Sequence, residues 1–186
     1  MSTILTSTGI TFPDGSTQST VANTPFVACK ANLPYASPGT QISFPTGVYT
    51  PTYEIIPINT RDTSLPNYSS FDTTNHWFVA PNAGLYFVSA AVYVNNGGGS
   101  SQIMDAYCGI AVNGTIATAE AIYQNSGYLY TQVFWRKTAG VFSLNSGDKV
   151  TVMLAGASSN WVCYCTSCAS YLYVNYAAIE VQQIRY

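Results

Sequence analysis

Turn-forming residues interrupt this chain so often that no helix of three turns fits between them. From Pro25 to Tyr186 they cluster at Asn59-Thr60-Arg61-Asp62, Asn95-Asn96-Gly97-Gly98-Gly99, Asn113-Gly114, Asn125-Ser126-Gly127 and Asn145-Ser146-Gly147-Asp148. The runs between them are short and rich in branched and aromatic side chains, which fit a pleated surface. Candidate strands are Phe26-Ala31, Thr40-Phe44, Tyr53-Ile56, Trp77-Val79, Gly84-Asn95, Met104-Val112, Thr115-Tyr123, Tyr128-Lys137, Lys149-Ala155 and Tyr171-Gln182. About ten strands separated by turns predict an all-β, antiparallel jelly-roll sandwich. Asn113-Gly114 is the strongest hairpin signal, because both central positions of a type I′ turn need positive φ.

Composition agrees with strands. Of 186 residues, 47% are hydrophobic and only 8% charged, against roughly a quarter charged in an ordinary soluble domain. The missing residues are mostly Lys, Glu and Arg, which exposed helical faces need. Fifteen Tyr, eight Phe and three Trp supply buriable area that a disordered chain lacks. A net charge of -2 leaves no basic stripe to neutralise phosphates, so no nucleic-acid partner is expected. Even Gly84-Val94 is interrupted by Ser89 and ends at Asn95-Asn96, short of the roughly 18 apolar residues of a membrane helix, so no membrane insertion is expected either. Met1-Ser2-Thr3-Ile4-Leu5 lacks the basic and apolar regions of a secretory signal, which predicts a product retained in the cell that makes it until lysis.

Residues 1–24 differ from the rest. They are Thr/Ser-rich, with one turn at Pro13-Asp14-Gly15 between Ile10-Thr11-Phe12 and Ser16-Thr17-Gln18. Proline presets φ and glycine takes the left-handed position, so a small hairpin is predicted. A ribbon whose apolar side chains are Ile4, Leu5, Ile10 and Phe12 is marginal alone in water. These side chains, with Asp14 and Gly15 in the turn, therefore mark residues 1–24 as an anchoring arm and 25–186 as the head domain.

Few residues carry reactive chemistry. His76 is the single histidine, beside Trp77 at a strand start, and one histidine without a partner makes no catalytic geometry. The acids Asp14, Glu54, Asp62, Asp72, Asp105, Glu120, Asp148 and Glu180 are scattered. No nucleophile elbow, phosphate-cradling loop or zincin helix occurs, so no catalytic residue and no cofactor is assigned. Cys163, Cys165 and Cys168 are the candidate metal ligands, one thiolate short of a closed zinc site, with Cys29, Cys108 or His76 as the available fourth. A Cys165–Cys168 disulfide is the alternative. Five cysteines without an export signal favour free thiols packed beside Trp161 and Tyr164. Tyr123, Tyr128, Tyr130 and Tyr164 lie among Ser, Asn and Gly, a chemistry suited to a ligand face or to sugar stacking. Alternating Tyr171, Tyr173 and Asn175 suit an intersubunit seam equally well.

Trp77-Phe78-Val79-Ala80-Pro81, followed by Ala83-Gly84-Leu85-Tyr86-Phe87, resembles the globular head of complement subcomponent q and the related tumour-necrosis-factor jelly rolls. Leu144-Asn145-Ser146-Gly147-Asp148-Lys149-Val150 is similar to that family's turn into a late strand, and Tyr176-Ala177-Ala178-Ile179-Glu180-Val181 to its closing strand, with alanines where the family has glycine. The resemblance spans about residues 26 to 184. It implies a homotrimer with termini at the base and loops at the free end, and gives Trp77, Phe78, Pro81, Gly84, Tyr86, Phe87, Tyr171 and Tyr173 to the fold and trimer core. Gly9-Ile10-Thr11-Phe12-Pro13-Asp14-Gly15-Ser16-Thr17-Gln18-Ser19-Thr20 resembles the segment preceding such heads in bacteriophage virion proteins.

The functions that follow rank in order. First is a non-enzymatic virion protein, a trimeric capsid decoration or cement protein held on the major capsid protein, or on a tail component, by residues 1–24. Its expected location is the virion, after synthesis in the host cytoplasm. Second is a short tail fibre or receptor-binding tip that recognises a host surface glycan. Third is an enzyme such as a depolymerase, which only the scattered carboxylates support.

Overall fold

Between Gly84 and Asn95, every second side chain from Tyr86 to Val94 is buried and those between are not, the period-two signature of a strand with one covered face. The same logic orders the rest of the chain in a computed structural model, which describes residues 4–6, 9–11, 13–14, 17–19, 27–36, 39–44, 52–95, 105–124, 133–157 and 170–184. Its strands are β1 (Ile4–Thr6), β2 (Gly9–Thr11), β3 (Thr17–Ser19), β4 (Ala28–Leu33), β5 (Thr40–Phe44), β6 (Thr52–Ile55), β7 (Thr60–Arg61), β8 (Phe71–Asp72), β9 (Trp77–Val79), β10 (Gly84–Asn95), β11 (Asp105–Val112), β12 (Thr115–Gln124), β13 (Val133–Leu144), β14 (Lys149–Ala157) and β15 (Ser170–Ile184). One 3-10 turn, Tyr68–Ser70, precedes β8.

β4 to β15 form two antiparallel sheets. One has the order β13-β10-β15-β4-β7, with β5 beside β4 on the same edge of β15; the other has β12-β11-β14-β9-β8, with β6 beside β9 on β14. Tyr86, Val88, Val92, Leu172, Val174 and Ile179 of the first sheet share one core with Phe78, Cys108, Ile110, Val150 and Leu154 of the second. Burial of such side chains is worth roughly 1.5–3 kcal/mol each, which makes this shared layer the main stabilising element.

The expected strands appear, with three differences. Asn59 to Asp62 is not a simple turn, because Thr60–Arg61 pairs with Ala31 and Asn32 as a short edge strand. Phe71–Asp72 adds a second short strand, anchored by the buried Phe71. β13 ends later than the expected Lys137, running on through Gly140 to Leu144, while residues 128–132 lie outside the described residues. That glycine does not break the strand: a Cβ there would lie 2.7 Å from Cζ of Phe142, so its bareness makes room for the ring. In the arm, Pro13 and Asp14 form the expected turn, but β1 joins β2 and β3 to make three strands rather than a two-stranded hairpin.

Strand polarity gives the sandwich two unlike ends. At one end the connections are short: Asn113-Gly114, Asn145 to Asp148, and Ala80 to Ala83. β4 also starts there, with Ala28 opposite Gln182 and the Val27 carbonyl accepting from Gln183 N. At the other end lie the strand ends that flank residues 45–51, 96–104, 125–132 and 158–169, as shown by the pairs Asn95 with Val133, Asp105 with both Gln124 and Ala157, Gly156 with Thr52, and Phe44 with Ser170.

Candidate interaction face

The outer side of the β13-β10-β15-β4 sheet is built by the residues that alternate with the core. Register sets Leu85, Ser143 and Ile184 in one row, Phe87, Val141 and Gln182 in the next, then Ser89, Ala139 and Glu180, then Ala91, Lys137 and Ala178, and finally Tyr93, Trp135 and Tyr176. A soluble surface is expected to be polar at such positions. Here Phe87 is 41%, Trp135 55% and Val141 56% exposed. At the long-connection end, Tyr35 joins the row and four rings form a chain: Tyr35 to Tyr93 at 6.1 Å, Tyr93 to Trp135 at 4.8 Å, and Trp135 to Tyr176 at 5.7 Å. Tilted contacts at these separations are attractive pairings. Across the sheet, Lys30 Nζ meets Glu180 Oε1 at 2.8 Å.

A β-bulge aims part of this face. Tyr93 pairs with Tyr176 but Val94 with Val174, so Asn175 is an extra residue in β15. Core positions Leu172 and Val174 are even-numbered before it, and Ala177, Ile179 and Val181 odd-numbered after it. The expected face of Tyr171, Tyr173 and Asn175 is therefore corrected. Asn175 is buried, its Nδ2 donating to Ala36 O at 2.8 Å and its own carbonyl accepting from Ala36 N at 3.0 Å. Tyr176 takes the next outward position after Tyr173. A Cβ on Gly39 would collide with the Val174 and Asn175 backbone, which explains the glycine where this segment lies against β15.

Other residues expected in the fold and trimer core make contacts within the protomer. Phe78 and Tyr86 are fully buried, their rings 5.9 Å apart. The Tyr86 hydroxyl donates to Asn82 O at 2.7 Å, and burial pushes its pKa up. Trp77 carries Lys149 Nζ over its ring at 4.2 Å, a cation–π contact. Pro81 O accepts from Ser146 Oγ at 3.0 Å. Gly84 has φ +156, where a side chain is strained. Of that set, Phe87 and Tyr173 lie on the outer face, and Tyr171 pairs in register with Ser43.

The turn that resembled a family motif gathers its polar atoms around Asp148. Its carboxylate accepts from Asn113 Nδ2 at 2.9 Å and Asn145 N at 2.7 Å, while Asn113 Oδ1 accepts from Lys149 N at 2.9 Å. These hydrogen bonds, the Asn113 one foremost, hold the Asp148 carboxyl below the usual carboxylate range. Gly147, at φ +91, closes the turn and donates to Ala80 O.

Among the described residues, the remaining candidates do not form a metal site. Cys29 is a buried free thiol that burial pushes up to about 11, and Cys108 is buried in the core. Cys29 lies opposite Val181 on β15. His76 sits at φ 63 with Nδ1 2.9 Å from Ile58 O, half-buried rather than a free surface histidine. Among the described residues no three His, Cys, Asp or Glu side chains meet as a metal site. Cys163, Cys165, Cys168, Tyr128, Tyr130, Tyr164, Phe12 and Gly15 lie outside the described residues. Tyr123 lies near the β12 end, Ile4, Leu5 and Ile10 lie on β1 and β2, and Asp14 is exposed in its turn. Sequence reasoning missed the ring chain of Tyr35, Tyr93, Trp135 and Tyr176, whose members come from four separate segments.

No protein-family model and no curated protein matches this chain. Among solved structures it is similar to that of Eiger TNF from S. frugiperda, with 13% identity, a TM-score of 0.50 and coverage of 87% of this chain and 94% of that one. It is also similar to the globular domain of zebrafish complement 1qA protein, with 14% identity, a TM-score of 0.46 and coverage of 87% and 98%. At such identity the first similarity speaks to fold alone, and with the two antiparallel sheets it makes this chain a jelly-roll sandwich.

Proposed function

We propose that this protein is a non-enzymatic structural component of a bacteriophage particle, a capsid decoration protein whose heads associate through the outer β13-β10-β15-β4 face and whose residues 1–24 anchor them. The observation that carries self-association is the row-by-row apolar character of that face, since contiguous apolar patches on soluble domains mark interfaces. A closed ring of three copies, as the family resemblance implies, would cover it. The phage assignment draws its support from the resemblance of residues 9–20 to segments preceding phage heads. Support for anchoring comes from position, because the chain enters β4 at the short-turn end, away from the long connections.

One observation favours a second reading, a tip that binds host glycan. None of the chain's six basic residues, eight acidic residues or its histidine falls within 45–51, 96–104, 125–132 or 158–169, which instead hold Tyr49, Tyr128, Tyr130, Trp161 and Tyr164 among Ser, Thr, Asn and Gly. Neutral aromatic-polar segments suit uncharged sugars.

Sedimentation equilibrium tests the first reading. The wild type should sediment as an oligomer, and Trp135→Glu should shift it towards monomer, with loss of the ring contacts to Tyr93 and Tyr176 costing the folded protomer about 1–3 kcal/mol. A monomeric wild type at all concentrations overturns self-association. A chain lacking residues 1–24 should stay oligomeric yet fail to decorate shells, whereas normal decoration would sink the anchoring role.

A further inference from the structure

The outer face carries three charged side chains among its described rows, and their placement names a contact between copies. Lys30 and Glu180 are directly cross-strand and paired at 2.8 Å, yet the Glu180 side chain remains 56% exposed and only its Oε1 is engaged by Lys30. Lys137 stands apart from this pair, on the edge strand β13. Its row neighbours are Ala91 and Ala178, and it is exposed with no carboxylate partner among the described residues. Covering that ammonium with apolar surface would leave a buried, unpaired charge, which is strongly unfavourable.

Closed rings resolve this conflict in a particular way. In a cyclic assembly of more than two copies each interface is heterologous, so one flank of a copy meets a different flank of the next. The sheet order β13-β10-β15-β4-β7 puts the lone cation on the edge strand β13 and the single carboxylate two strands inward, on β15, so the β13 edge of one copy would have to meet the outer face of the next. An isologous dimer centred on β13 would instead set Lys137 against Lys137. Resting on the self-association reading above, we propose that Lys137 of one copy pairs with Glu180 of its neighbour, so that each carboxylate is shared between its own Lys30 and the incoming ammonium. The pair would fix the register of a ring that apolar rows alone leave free to slide.

A double-mutant cycle on the full chain tests this, with association constants from sedimentation equilibrium for the wild type, Lys137→Met, Glu180→Gln and the double variant. Lys137→Met leaves the Lys30–Glu180 pair intact and should weaken association at least tenfold, although methionine is the more apolar residue. The double variant should associate no more weakly than the worse single variant, because the two act through one contact. The wild type should also lose affinity as salt rises, and Lys137→Met should lose this dependence in part. Unchanged or tighter association of Lys137→Met, or additive effects in the double variant, overturns the pair while leaving self-association standing. A wild type that never associates overturns the self-association reading itself.

Discussion

Asp148 illustrates how short side chains hold the narrow end of the sandwich. Because Asn113 and Asn145 donate to its ionised form, its carboxyl is more acidic folded than unfolded. Its stabilising contribution is therefore present above the ordinary carboxylate range and fades as pH falls through the lowered folded value. Asp62 and Asp72, held down by Ser64 and Asn75, act in the same direction. Urea midpoints should thus decline with acidification, and Asp148→Asn should flatten part of that decline. An identical pH profile for the variant would count against the role of Asp148. Gly84 tests the other kind of residue-level constraint. A Cβ there would lie 2.8 Å from Gln183 Nε2 at a φ of +156, so Gly84→Val should cost about 1–3 kcal/mol in chemical denaturation.

Much of this residue-level detail was legible. Asn113-Gly114 announced its turn, and both residues do take positive φ, at 50 and 81. Gly84 and Tyr86 lie on β10, the strand expected over Gly84-Asn95. Which face an exposed aromatic occupies was legible only where alternation ran unbroken.

At the scale of elements, β15 shows why alternation misled. Ala177 and Ala178 are both apolar, so the sequence does not reveal that the inward phase changes between Val174 and Ala177. The backbone changes it by inserting Asn175, whose side chain then serves the 34–36 segment. Deleting Asn175 should send Leu172 and Val174 to the wrong side of β15 relative to Ala177 onwards, costing more than about 4 kcal/mol, or preventing cooperative unfolding altogether. A deletion variant with near-native melting would contradict the bulge. Edge elements were invisible for another reason: Thr60–Arg61 and Phe71–Asp72 are strands only because β4 and β9 offer unpaired edges to them, a tertiary effect that local propensity does not encode.

Across the whole molecule, the low charge content acquires a location. The interior takes its share of the apolar residues, but the outer face of one sheet takes Phe87, Val141, Trp135 and Tyr93 as well, and four connecting segments contain no charge at all. Fold class was therefore readable from strand and turn spacing, while the interaction face was not, because its rows join strands distant along the chain.

The division between the two ends also has a practical meaning. The strand ends that flank the four connecting segments converge opposite the point where the chain enters the sandwich. A short epitope inserted within 125–132 should be accessible to its antibody on the assembled protein, with a melting temperature within a few degrees of wild type. If three copies surround one axis, that epitope is presented in triplicate, at the end opposite the start of β4.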